Sequence, residues 1–205
     1  NDALFLLHER GKAMQESVPL GKGSMIAVLG LNVDEIKKLI KESNSQNKIC
    51  EIANDNADGQ VIVSGDKVAV EEFKDNLKKK KIKSASLKVS APFHCSLMKP
   101  AAEKMRDKIN KIEFKNPNFK IINNVTADTE NISDKIKKLL IDQIFSTVRW
   151  RESLIKMSKE NVTNYIEIGP GKVLTGMVKR TIKNANCFSI NSLTDITNLL
   201  NELKK

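Results

Sequence analysis

The run Ser90-Ala91-Pro92-Phe93-His94-Cys95 holds the side chain best suited to moving a proton near neutral pH. The surrounding pattern places His94 between a strand and a helix, the position where α/β proteins gather catalytic groups. The chain has only two histidines, and the other, His8, lies in a charged helical stretch that predicts exposure. A histidine in a proline-containing loop also has an ordinary structural reading, which its neighbours alone do not displace. Cys95 adjoins His94, but neighbours on a loop rarely point together and no cysteine-protease signature surrounds them. Arg10, between Glu9 and a short step from His8, reads in isolation as a surface helix residue. The run GPGKVLTG at residues 169–176 follows a strand and opens a helix, where backbone N–H groups favour anions. Its spacing fits neither a dinucleotide nor a P-loop fingerprint, and Pro170 removes one donor, so a tight strand-to-helix turn is expected. Three cysteines without a CxxC pair support neither a disulfide framework nor a zinc site.

These groups must be positioned by the elements between them. Helical spacing covers residues 3–16, followed by a turn-rich link at 18–23. Strands are predicted at 24–31, 49–53, 60–65 and 84–90, and helices at 34–43 and 68–80, with residues 54–59 a polar loop. The order β-α-β-β-α-β over 24–90 is that of a ferredoxin-like split βαβ unit. Beyond it, helices at 99–112, 132–144, 149–159, 172–182 and 192–203 alternate with strands at 120–125, 165–168 and 187–190. Such alternation predicts a mostly parallel sheet covered on both faces, one that these strands alone do not complete.

Composition narrows the function classes. A chain of 205 residues with 40% hydrophobic and 29% charged side chains is globular, with room for one or two domains. It contains no apolar run long enough to span a membrane and no signal peptide, and is expected in a reducing, cytoplasmic setting as a monomer. It opens without methionine inside a helical pattern, which suggests upstream sequence. The net charge of +10 is uneven: residues 91–205 carry twenty basic and twelve acidic side chains, while residues 1–23 balance. A basic face can attract nucleic acid, an anionic membrane, or an acidic or phosphate-bearing partner. The 4% aromatic content and the lack of a nucleic-acid signature argue against the first. The lysines at 78–81 complement a helix C-terminus.

The segments HERGKAMQESVPLGKGSMIAVLGL, CEIANDNADGQVIVSG, VSAPFHCSLMKPAAEKM, NNVTADTENISDKI, IDQIFSTVRWRESL and YIEIGPGKVLTGMVKR, in this order, resemble the bacterial malonyl-CoA:acyl carrier protein transacylases of type II fatty acid synthesis. The resemblance implies an α/β-hydrolase-like large domain, partly present at 1–23 and 91–205, interrupted by a ferredoxin-like small domain at 24–90. It implies ping-pong transfer of malonyl from malonyl-CoA to the phosphopantetheine thiol of acyl carrier protein through a serine ester, with no cofactor. His94 matches the family's base, and Gln143 the position whose main-chain carbonyl orients it in place of a triad carboxylate. Arg10 matches the arginine that binds the malonyl carboxylate, a bidentate task suited to guanidinium. Asn54, Asn56 and Gln60 fall in a small-domain loop along the acyl or pantetheine path, and Phe93 resembles the Phe-His pairing of malonyl-selective domains. Neither the GHSLGE-type nucleophile elbow nor the GQGSQ-type segment of the oxyanion hole occurs in these residues. Both would precede Asn1, so the resemblance reads the chain as lacking its N-terminal third. A non-catalytic module that binds carrier protein, or an acyltransferase for another unit such as methylmalonyl, are the alternatives.

Overall fold

The computed structural model describes residues 2–43 and 47–203. Helix α1 (Asp2–Glu16) leads into β1 (Gly23–Leu29), α2 (Val33–Glu42), β2 (Cys50–Ala57), β3 (Gln60–Asp66), α3 (Lys67–Lys79) and β4 (Ser84–Ser86). The four strands form one antiparallel sheet in the order β2-β3-β1-β4. Alternation along β1 sorts its two faces. Ile26 and Val28 pack with Val61 and Val63 against Ile36 of α2 and Val70, Phe73 and Leu77 of α3, while Met25 joins Ala53 and Ile62 on the other face, where Phe93 covers them. Asn32 starts α2 with a capping box shared with Glu35.

Two expectations for this region change. Residues 54–57 continue β2, and only Asp58 and Gly59 make the turn, with Gly59 at φ 66°. Their polar character hid the strand because the buried positions past Ile52 are Ala53, Asp55 and Ala57, and Asp55 is buried with an ionic partner. The last strand is shorter than expected, since Leu87 adds one bond to Met25 (2.9 Å) and the chain then leaves the sheet.

The chain continues through a 3₁₀ turn (Ser96–Met98), α4 (Lys99–Asn110), the two-residue strands β5 (Ile121–Ile122) and β6 (Thr129–Glu130), α5 (Ser133–Asp142) and α6 (Trp150–Lys159). It ends with β7 (Asn164–Ile168), α7 (Val173–Thr181), β8 (Asn186–Ile190) and α8 (Leu193–Leu203). Ala13 and Met14 of α1 bury against Ala101, Ala102, Met105 and Ile109 of α4, with Ile141 and Ile144 beside them. The strand expected at 120–125 is a small antiparallel hairpin with β6, because the Asn123 side chain accepts from the Val125 and Thr126 amides and turns the chain. Among the strands of the described residues, only β7 and β8 pair in parallel, and one isolated parallel bridge joins Asn54 of β2 to Val148.

Candidate active site

Three of the residues singled out in the sequence meet where α1, the loop before α4 and the end of α5 converge. His94 Nδ1 lies 3.1 Å from the main-chain carbonyl oxygen of Gln143. A carbonyl only accepts, so Nδ1 carries the proton in this bond and Nε2 is left as the basic nitrogen. The Gln143 side chain points the other way, and its Oε1 accepts from Arg10 Nη2 at 2.7 Å. Gln143 thus joins a candidate base to a candidate anion clamp by one main-chain and one side-chain bond.

His94 is half-buried at φ 58°, a left-handed conformation that costs a non-glycine residue about 1–3 kcal/mol and persists only where surroundings impose it. Burial holds its imidazole below the ordinary range, and the Arg10 charge acts the same way, against the carbonyl of Gln143 and the main chain of Ser146. The neutral, proton-accepting form is therefore favoured at neutral pH. Arg10 is half-buried and, among the described residues, forms no ion pair, whereas its neighbour Glu9 is held by Lys108 at 2.5 Å. Burial lowers its pKa, yet a guanidinium stays charged.

Arg10 and Gln143 sit in a cavity of about 510 Å³ with apolar walls from Leu6, Met105, Ile109 and Phe114. His94 faces a second cavity, of about 590 Å³, with Glu51, Ser146 and Thr147. Asn54 and Asn56 on β2 and Gln60 on β3 line neither cavity. Phe93 packs at the junction of two apolar clusters. Burial pushes the Cys95 thiol up to about 11 and the Cys50 thiol up to about 12, so neither is a thiolate nucleophile at neutral pH. The Ser96 hydroxyl donates to Glu51, not to His94. At the GPGKVLTG turn, the Glu167 carboxylate already accepts the Leu174 and Thr175 amides at 3.1 and 2.7 Å, which fills the anion position of α7.

Sequence reasoning missed the supports. Asp55, 2% exposed, accepts from Arg151 through both oxygens at 3.0 Å, fastening β2 to α6. Gly23 is required because a Cβ there would run into the Pro92 ring. The Gly23 requirement left no trace in local spacing, since Pro92 lies far along the chain. Asp55 likewise had no local signal, since the arginine that pairs with it lies 96 positions along the chain.

Residues 1–199 match the acyl transferase domain family. The chain is 37% identical over 205 residues to a malonyl CoA-acyl carrier protein transacylase of Bacillus subtilis (strain 168), covering all of this chain and 65% of that protein. It is 38% identical over 193 residues to the protein of the same name from Haemophilus influenzae, covering 94% of this chain and 62% of the relative. The chain therefore spans less than two thirds of the length of these curated relatives. The crystal structure of malonyl CoA-acyl carrier protein transacylase from Clostridium perfringens superposes with a TM-score of 0.94 at 38% identity, over 99% of this chain and 64% of that one. A malonyl-transacylase in complex with a type II PKS acyl-carrier protein gives 0.92 at 38% identity, over 98% and 65%.

Proposed function

The chain belongs to the acyl transferase domain family, and from that premise we propose that it provides the base and the carboxylate clamp for moving malonyl from malonyl-CoA to the phosphopantetheine thiol of acyl carrier protein. The observation that carries this reading is Gln143, bonded to His94 through its carbonyl and to Arg10 through its side chain. In this reading His94 Nε2 takes the proton of a serine hydroxyl as that oxygen attacks the malonyl thioester. It returns the proton to the departing coenzyme A thiolate, and the carrier-protein thiol repeats the steps in reverse. Arg10 holds the free carboxylate of malonyl and has nothing to pair with in acetyl. The serine belongs to a nucleophile elbow outside these 205 residues, which contain no GHSxG sequence.

The finer architecture is part of the same proposal. The antiparallel order β2-β3-β1-β4 with two helices on one face supports a ferredoxin-like small domain at 24–90. The parallel pair β7–β8 with its helices supports an α/β-hydrolase-like large domain formed from 1–23 and 91–205. Asn54, Asn56, Gln60 and Phe93 are placed beside the acyl and pantetheine path on resemblance alone. Exposed Lys179 and Arg180 on α7, in the basic C-terminal half, suit an acidic carrier protein.

The test joins the chain to a GHSLGE-bearing segment and measures transfer from malonyl-CoA and acetyl-CoA. Arg10→Ala should depress malonyl transfer and narrow or reverse its advantage over acetyl, and His94→Ala should slow acylation by about 10²–10⁴-fold. An unchanged malonyl-to-acetyl ratio of kcat/KM in Arg10→Ala overturns the clamp, and a near-normal single-turnover rate in His94→Ala overturns the base.

A further inference from the structure

The bonds that fix the His94 loop converge on β2, a strand outside the Arg10–Gln143–His94 hydrogen-bond chain. Glu51 of β2 accepts from the Ser96 main-chain N–H at 2.8 Å through one oxygen and from the Ser96 hydroxyl at 2.5 Å through the other. Ser96 lies two positions beyond His94 and starts the 3₁₀ turn into α4. A carboxylate from the four-stranded sheet therefore caps that turn, where free N–H groups need an acceptor.

The same strand secures the other half of the pair. Ile52 O accepts from Thr147 Oγ1 at 2.6 Å, Ala53 O accepts from Val148 N at 2.8 Å, and Asp55 N donates to Val148 O at 2.9 Å. Thr147 and Val148 follow shortly after Gln143, whose carbonyl meets His94. Both ends of the His94–Gln143 bond are thus registered against β2. On the far side of the loop Pro92 rests on Gly23 with no room for a Cβ. His94 is held between these two fastenings in its left-handed conformation.

We propose that Glu51 is a positioning residue for His94: by capping Ser96 from β2 it sets the loop so that Nδ1 faces the Gln143 carbonyl and Nε2 stays free. The geometric statement stands on the bonds alone, and its kinetic consequence rests on the reading of His94 as the base.

Nitrogen-15 NMR of the 205-residue chain reads the tautomer directly, with exposed His8 as an internal control. In the parent chain neutral His94 should be protonated at Nδ1. In Glu51→Ala it should shift toward the Nε2-protonated form while His8 is unchanged. Glu51→Gln, whose amide oxygen still accepts from Ser96, should retain most of the parent signal, and Ser96→Ala should fall between. Parent-like His94 signals in Glu51→Ala overturn the proposal. If that variant does not fold, parent-like signals in Ser96→Ala overturn it equally. In the chain joined to a nucleophile segment, Glu51→Ala should lower kcat about 10–100-fold with little change in KM for malonyl-CoA, the effect of a small misplacement of a reacting group, and Glu51→Gln should recover most of it. A tautomer shift with unchanged kcat would remove His94 from the chemistry while leaving Glu51 as its support.

Discussion

Residues 23–86 and residues 150–203 are both built from strands and helices, yet they bury their strands to very different degrees. In the first, Val28, Ile36, Val63, Val70, Phe73 and Leu77 are all 0% exposed. In the second, the buried cluster is Leu154, Tyr165 and Val178, while Ile168 is 81%, Val173 65% and Leu193 83% exposed. Trp150 Nε1 and the Tyr165 hydroxyl are also buried there without a hydrogen-bond partner. An antiparallel sheet closes through local connections and needs cover on one face, whereas parallel strands need helices on both faces and neighbours on both edges. The first region satisfies its own requirement; the second depends on contacts beyond its two strands.

The sharpest way to break this contrast is Phe73→Ala. At a fully buried site it should cost about 3–5 kcal/mol in chemical denaturation. A loss near zero would mean that the antiparallel unit is not the stable part of the chain. Next comes Arg151→Ala, which strands the buried Asp55 carboxylate at the junction between β2 and α6. Losing one member of a buried pair costs about 3–5 kcal/mol, and because Arg151 keeps some solvent contact about 2 kcal/mol is expected. Asp55, whose pKa burial already raises against the pull of Arg151, should then take up a proton more readily. A double variant with Asp55→Asn should recover part of the loss, and no recovery would show that Arg151 acts through packing.

A smaller effect lies at the His94–Gln143 contact, which belongs to neither region. The folded state holds the His94 pKa below its unfolded value of about 6.5, so the unfolded chain binds the proton more readily and stability falls as pH drops below about 6.5. His94→Gln should flatten the difference in Tm between pH 7.5 and pH 5.5 relative to the parent, on the order of the one-group linkage effect. An identical pH response in both would assign the acid sensitivity elsewhere. Least of all should be Leu193→Ser at an exposed position, within about 0.5 kcal/mol. A larger loss would show that α8 is covered in solution.

The sequence made some of this legible and not the rest, for physical reasons. Helix α2 and strand β3 are visible because their apolar spacing is local. Strand β2 past Ala53 was unreadable as a strand because Asp55 is buried by an arginine 96 positions away, and no local pattern encodes that distance. The same holds for the site. His94, Arg10 and Gln143 stood out by type and by resemblance, and the main-chain bond from Gln143 was expected. Its side-chain bond to Arg10 and the Glu51 cap on Ser96 depend on how three separate elements pack.

The path of the chain through the antiparallel sheet has an engineering consequence. It enters at Gly23 and leaves at Ser86, and these ends lie close together, since Ile26 stands opposite Ser86 across β1 and β4. A segment with adjacent ends can be exchanged as a cassette without rerouting its host. Transplanting a foreign sheet here would preserve the connection but not the function unless it carried a glycine at the Pro92 contact, a carboxylate at the place of Glu51 and an acid facing Arg151. The modularity of this chain is therefore bounded by these positions and by the Met25, Ala53 and Ile62 face that Phe93 covers, and a graft library should hold them fixed while varying the rest.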